Sequence, residues 1–164
     1  MDKETPERRV FVLLKERGMT FAAAESCTGG LVAKRITDLA GASAVFHGGV
    51  VSYTNEVKAE VLGVPRELLD AYGAVSAPVA RSMAENVRRL TRADLGVSVT
   101  GVAGPDTDER GNAVGTVFIA LADGGETTVQ RLALGTGRER VRQASADRIF
   151  DLISHYLTTH KEAH

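Results

Sequence analysis

The stretch AESCTGG, residues 24–30, sets a carboxylate, a hydroxyl, a thiol and a second hydroxyl side by side, then frees the backbone with two glycines. Ser26 in that setting is a candidate nucleophile for acyl transfer. It lies where a short apolar run gives way to a helical pattern, and the amides of Thr28, Gly29 and Gly30 at the helix start are donors suited to an oxyanion or a phosphate. The same residues also read as a cap and a permissive turn, because serine is a leading cap residue. Cys27 competes, since a thiol at a helix start can be activated, yet free cysteine is as readily an inert core residue. Ser26 ranks ahead of it by a small margin.

A serine hydroxyl needs a base to take its proton. Histidine is scarce: His155, His160 and His164 fall in or beyond the last helical stretch, and His47 alone is internal. Lys58 is the better candidate. If Asn55 caps the stretch NEVKAEVLG, Lys58 sits in the first helical turn, where the dipole disfavours positive charge and burial would push the amine towards neutrality. Glu56 and Glu60 would oppose that shift, and a solvated surface lysine is the alternative. Tyr53, five residues earlier, offers a phenol to the nucleophile or a ring to a substrate; buried structural tyrosine is its other reading.

Two further stretches carry chemistry. VTGVAGPD places Thr100, Gly101 and Gly104 where they could line a small-molecule pocket or build a structural loop. It has neither the Lys-Ser or Lys-Thr pair of a P-loop nor the dinucleotide-binding glycine spacing. Arg138 and Arg142, one turn apart at the start of the last helical stretch, could clamp a phosphate or simply face water. One cysteine, scattered acids and no paired-histidine pattern leave no metal site, and no cofactor is expected.

The elements that must position these residues alternate. TPERRVFVLLKERG reads as a helix capped by Thr5, with Pro6 at its first position, Val10, Leu13 and Leu14 on one face, and a stop at Gly18. MTFAAAES reads as a buried strand and LVAKRITDLAG as a helix. AVFHGGVVSYTN reads as a strand bent near Gly48 and Gly49. Short helices follow from Asn55 and Pro65, then a longer amphipathic one capped by Ser76. DLGVSVTG is a buried strand; GTVFIALAD and ETTVQRLAL form a hairpin across Gly124 and Gly125. A closing helix runs through GRERVRQASADRIFDLISHYL, with Val141, Ile149, Leu152 and Ile153 on its apolar side. The order implies a three-layer α/β/α sandwich around a mixed sheet with a late hairpin, in one domain spanning residues 1–164. In such sheets sites gather where strands end and helices begin. That singles out three junctions: Ser26 to Gly30, Tyr53 to Lys58, and Thr100 to Asp106.

Composition excludes several classes. At 164 residues, with 43% hydrophobic and 25% charged residues, the chain can bury a sizeable core. A net charge of -1 offers no excess of cations for a nucleic-acid face. The polar MDKETPERRV start is unlike a secretory signal, no apolar run approaches the roughly 20 residues needed to span a bilayer, and one cysteine rules out an internal disulfide. A cytoplasmic protein is expected.

Taken in order, AESCTGG, VSYTNEVKAEVLGV, GAVSAPVARSMAENV, VSVTGVAGPD and GTVFIAL resemble the CinA C-terminal domain family, from about Val10 to Leu157. The resemblance implies a nicotinamide-nucleotide amidohydrolase, converting nicotinamide mononucleotide to nicotinate mononucleotide and ammonia. It implies Ser26 as nucleophile, Lys58 as base and Tyr53 beside them. It also implies Thr100 as a substrate contact and Arg138 and Arg142 as the phosphate's partners. Joined to the reading of the residues, Thr28, Gly29 and Gly30 would hold the oxyanion and Gly101 and Gly104 would line the pocket beside Thr100. The larger members' N-terminal domain, with its pyrophosphatase activity, has no counterpart here, so that activity is expected to be absent. The acidic loop Asp106–Arg110 departs from the glycine-rich version expected of the family. A homodimer or larger homo-oligomer is expected, with no direct nucleic acid and no membrane. Two other readings stand beside this one: a non-enzymatic competence or DNA-damage accessory protein contacting a partner such as a recombinase, and an amidohydrolase for another small amide.

Overall fold

The computed structural model describes residues 3–160, so the expectation placed on His164 lies outside the described residues. Five strands form one sheet: β1 (Phe21–Glu25), β2 (Phe46–Val51), β3 (Leu95–Gly101), β4 (Thr116–Ala122) and β5 (Thr127–Ala133), in the order β2-β1-β3-β4-β5. β1 runs parallel to β2 and to β3, while β4 and β5 are antiparallel additions joined by the expected hairpin. The helices are α1 (Pro6–Arg17), α2 (Leu31–Thr37), α3 (Asn55–Glu60), α4 (Arg66–Tyr72), α5 (Ala77–Thr91) and α6 (Arg138–Thr159). α1, α2 and α6 cover one face around Phe21, Val97, Ile119, Ile149 and Phe150. α5, with α4 behind it, covers the other around Ala22, Ala24, Val79, Met83 and Val87. The three-layer sandwich is therefore present.

Local chemistry explains most boundaries. Thr5 accepts from the Arg8 amide and Gly18 closes α1 in the left-handed region, as the sequence implies. β1 is alanine-rich because it is central and buried on both faces, where small side chains let both helical layers approach. The same closeness fixes glycines: a Cβ on Gly96 would lie 2.2 Å from the Ala84 carbonyl oxygen of α5, and one on Gly49 would lie 2.3 Å from that of Ala23. The register between β1 and β2 skips at His47, beside Gly48 at φ 141, so the bend expected at this glycine pair is a bulge.

Two caps differ from expectation. Thr54, not Asn55, caps α3, its hydroxyl accepting from the Val57 amide at 3.2 Å. Both residues are good caps, and the strand exit decides between them. Ser76 occupies the cap position of α5, but its hydroxyl donates to the Gly73 carbonyl at 2.8 Å and caps nothing. Among the described residues no helix is long and apolar enough to cross a membrane.

Candidate active site

The parallel order β2-β1-β3 decides where the chemistry can sit. Val51, Glu25 and Gly101 end their strands on one edge of the sheet, so the three glycine-bearing junctions lie side by side, with the β1 junction in the middle. The chain leaves β1 to form β2 on one side and later returns to form β3 on the other. That divergence opens a crevice of the kind in which ligands bind. Backbone hydrogen bonds continue the sheet into the junctions: Ser26 N–H donates to the Val99 carbonyl at 3.0 Å, and Ser52 N–H to that of Glu25 at 2.7 Å.

Lys58 reaches into this edge. Its side chain is 1% exposed, and Nζ lies 2.8 Å from Ser26 Oγ, 2.7 Å from the Ser52 carbonyl oxygen and 3.5 Å from that of Tyr53. Burial pulls its pKa down from 10.5 to about 8. The opposition expected from Glu56 and Glu60 is absent: both are exposed, and Glu60 pairs with Arg66 at 3.0 Å. A protonated Lys58 has three N–H groups for its three oxygen neighbours. A neutral one has two, which the two carbonyls can take, leaving its lone pair to accept the Ser26 hydroxyl proton. The geometry thus accommodates both ends of a proton transfer.

The turn carrying Ser26 is held from two sides. The Glu25 carboxylate is buried and accepts from Thr28 Oγ1 at 2.6 Å, Val32 N–H at 2.8 Å and Ala33 N–H at 3.0 Å. Arg142 donates from Nε to the Cys27 carbonyl at 3.1 Å and from one Nη to that of Thr28 at 3.0 Å. Among the turn amides, that of Gly29 is committed to the Ser26 carbonyl at 3.0 Å, while those of Thr28 and Gly30 have no acceptor among the described residues. Gly29 therefore differs from its two neighbours as an oxyanion donor. It stays glycine for its φ of 59° and because a Cβ would sit 3.3 Å from Arg142.

Cys27, by contrast, belongs to the apolar core. It is buried beneath α2 and α6, and burial raises its thiol to about 11. At neutral pH it carries almost no thiolate and is a poor nucleophile. Iodoacetamide at pH 8 should modify the unfolded chain rapidly and the native chain barely at all. Rapid labelling of native protein would show that the thiol is accessible.

The remaining candidates take unequal places. Tyr53 is 54% exposed and its phenol accepts from Arg138 at 3.0 Å, which leaves its own O–H free to donate. Arg138 also donates to the Gly104 carbonyl at 2.7 Å, so it ties two of the three junctions together. The arginine pair is not the free clamp its spacing suggests, because Arg142 holds backbone carbonyls. Thr100 is 1% exposed and donates its hydroxyl to the Ala74 carbonyl at 2.9 Å, a tie between β3 and the start of α5. Gly101 and Gly104 leave room for their neighbours, since a Cβ on either would lie within 2.7 Å of a valine side chain. His47 is exposed with Nδ1 3.0 Å from the Thr91 carbonyl, a neighbour in the α5 exit rather than in the crevice.

A cavity of about 680 Å³ opens beside Tyr53, walled by Thr54, Asn55, Asp70, Val75 and the loop Thr107–Arg110. That is the size of a small-molecule site. The acidic loop forms its wall because Arg110 donates to the carbonyls of Leu69 and Ala71 at the end of α4, while Asp108 accepts from the loop's own Arg110 and Asn112 amides. A second cavity of about 270 Å³ lies against Arg138, Arg142 and Leu31. The Tyr53–Arg138 bond spans from one cavity wall to the other. Among the described residues no group of three or more His, Cys, Asp or Glu comes together to hold a metal ion. The sequence left two contributors unread, the Ser52 carbonyl and the Glu25 carboxylate. Their only signal is position, each at the end of a parallel strand.

The chain has relatives among known proteins. Residues 3–157 match the family model described as the CinA C-terminal domain. A curated protein of Desulforudis audaxviator, named for competence and damage induction, is 50% identical over 157 residues, 96% of this chain and 38% of that one. A CinA-like protein of Syntrophus aciditrophicus is 48% identical over 157 residues, 95% and 37% of the two chains. The chain therefore spans little more than a third of the length of the curated relatives it matches. Among solved structures, a CinA superfamily protein of Klebsiella pneumoniae superposes with a TM-score of 0.92 at 31% identity, covering 94% of this chain and 97% of that one. A competence/damage inducible protein of Agrobacterium tumefaciens does so at 0.88 and 34%, covering 96% and 98%.

Proposed function

Since the chain belongs to the CinA C-terminal domain family, we propose that it is a nicotinamide-nucleotide amidohydrolase working through a Ser26–Lys58 dyad. The observation that carries the reading is the 2.8 Å contact between a buried lysine amine, lowered to about 8, and a serine hydroxyl at the end of a central parallel strand. About a tenth of the amines are neutral at pH 7 on that value, which supplies a working base.

Neutral Lys58 removes the Ser26 proton as Oγ bonds to the carboxamide carbon. The carbonyl π electrons move to oxygen, where the Thr28 and Gly30 amides are the available donors. The Lys58 ammonium then returns its proton to the amide nitrogen, the C–N bond breaks, and ammonia leaves a nicotinoyl ester on Ser26. Water, losing its proton to Lys58, attacks that ester. Nicotinate mononucleotide departs and Ser26 regains its proton. The positive pyridinium ring withdraws electrons from the carboxamide and makes its carbon more electrophilic. The 680 Å³ cavity is lined by Tyr53 but by neither Ser26 nor Lys58, so it has room for the part of a mononucleotide that extends beyond the reacting carboxamide. The Tyr53 hydroxyl is free to donate to the substrate.

The test is ammonia release by purified protein offered nicotinamide mononucleotide, its riboside, free nicotinamide, glutamine and asparagine. The mononucleotide should be the preferred substrate. Release from another amide alone would move the protein to a different amidohydrolase, and release from none would favour an accessory role through protein partners.

A further inference from the structure

Glu25 and Arg142 have no chemical step in that scheme, yet they converge on the nucleophile's turn, and we infer that they are positioning residues that fix the Ser26 turn against Lys58. The inference rests on the amidohydrolase reading and adds to it how the turn is aimed. Glu25 ends the central strand and accepts three hydrogen bonds from residues three to eight positions later, fastening the turn and the first residues of α2 to β1. Those three donors fill its oxygens, so a buried side chain of this kind stands next to the nucleophile without an unpartnered acceptor. Arg142 approaches from α6 and takes the two carbonyls of Cys27 and Thr28.

Peptide geometry turns this grip into aim. In a trans peptide unit the C=O and the following N–H point in opposite directions. Holding the Cys27 carbonyl towards α6 therefore turns the Thr28 amide away from α6, and that amide has no acceptor among the described residues. Holding the Thr28 carbonyl turns the Gly29 amide away from Arg142 too, into its bond with the Ser26 carbonyl. Two of the three guanidinium nitrogens of Arg142 are spent in this way. That is the geometry of a residue that orients a turn, and it leaves little for a phosphate.

The experiment compares Glu25→Gln, Arg142→Lys and Thr28→Val with the parent protein. Ammonia release is read with the mononucleotide and with its riboside, and the rate of fluorophosphonate labelling at Ser26 is read separately. Gln places an N–H against the Ala33 amide, Lys lacks the rigid planar fork that donates from Nε and Nη to two successive carbonyls at once, and Val removes one donor to Glu25 at nearly constant size. Misplacement of a reacting group by about 1 Å costs on the order of 10²-fold. Glu25→Gln and Arg142→Lys should therefore lower kcat about 10²-fold, leave KM for both compounds within about twofold, and slow labelling in parallel. Thr28→Val, the mildest change, keeps the comparison open if Glu25→Gln does not fold, and should lower kcat by a smaller factor with KM unmoved. Parent-like kcat in the folded variants would overturn the inference. So would a rise in KM for the mononucleotide but not the riboside in Arg142→Lys, which would return that residue to the phosphate. Parent protein that labels at Ser26 but releases no ammonia refutes the substrate reading instead, and the labelling rates still judge the positioning role.

Discussion

Replacing Lys58 with methionine should lower ammonia release from nicotinamide mononucleotide by about 10³-fold and, in the same protein, raise stability at pH 7. The first effect follows from removing the base, since a positioned acid–base group contributes typically 10² to 10⁴-fold. The second follows from its burial. A lysine whose pKa falls from 10.5 in the unfolded chain to about 8 in the fold binds its proton less tightly when folded, a penalty of about 3 kcal/mol wherever both states are protonated. Between pH 8 and 10.5 the unfolded chain holds the proton and the folded one does not, so stability rises with pH across that window and the penalty disappears at its top. Below pH 8 the penalty is present in full. Methionine removes the charge at similar size but leaves the Ser52 carbonyl without its donor, which costs back about 1–2 kcal/mol. The expected result is a gain of about 1–2 kcal/mol at pH 7 that shrinks as pH rises to 10, read by denaturant unfolding of the two proteins side by side. A variant less stable than the parent at every pH would mean that Lys58 is a structural cation.

Ser26→Ala should abolish turnover, lowering ammonia release by 10³-fold or more, with substrate binding intact. The hydroxyl is nearly buried and touches Lys58, so its loss removes one hydrogen bond and little volume. The turn keeps its anchors, because Glu25 and Arg142 hold the residues after it and the Ser26 amide still reaches Val99. The variant should therefore bind the mononucleotide by calorimetry and release no ammonia. Activity that survives in Ser26→Ala but vanishes in Cys27→Ala would hand the chemistry to the thiol, against its burial and its raised pKa.

Much of the scaffold was legible because it follows from local chemistry. Thr5, Pro6 and Gly18 bound α1 through capping and φ preference alone, and the Gly48–Gly49 pair marks the bulge. Alternation of strand and helix implies a layered sheet, and the ends of its parallel strands imply the crevice. The partnerships inside the site were less legible, because they join residues far apart in sequence. Arg142 meets the turn 115 residues before it, and nothing in a helical arginine's neighbours announces that. Lys58 looks locally like any helical lysine with two glutamates nearby. Its burial arises only when α3 docks its inner face on the ends of β1 and β2. Asn55 and Thr54 are equally good caps on paper, and the direction in which β2 exits selects Thr54.

The dependence of kcat/KM on pH for ammonia release tests the neutral amine most directly. The second ionisation of a phosphate monoester lies near pH 6, below the region of interest. The rate should climb with unit slope, bend at about pH 8 and stay level above it, and this limb should be missing from any residual activity of Lys58→Met. A profile flat from pH 7 to 10, or one bending between 6 and 7 as a histidine would make it, would contradict the assignment of the base to Lys58.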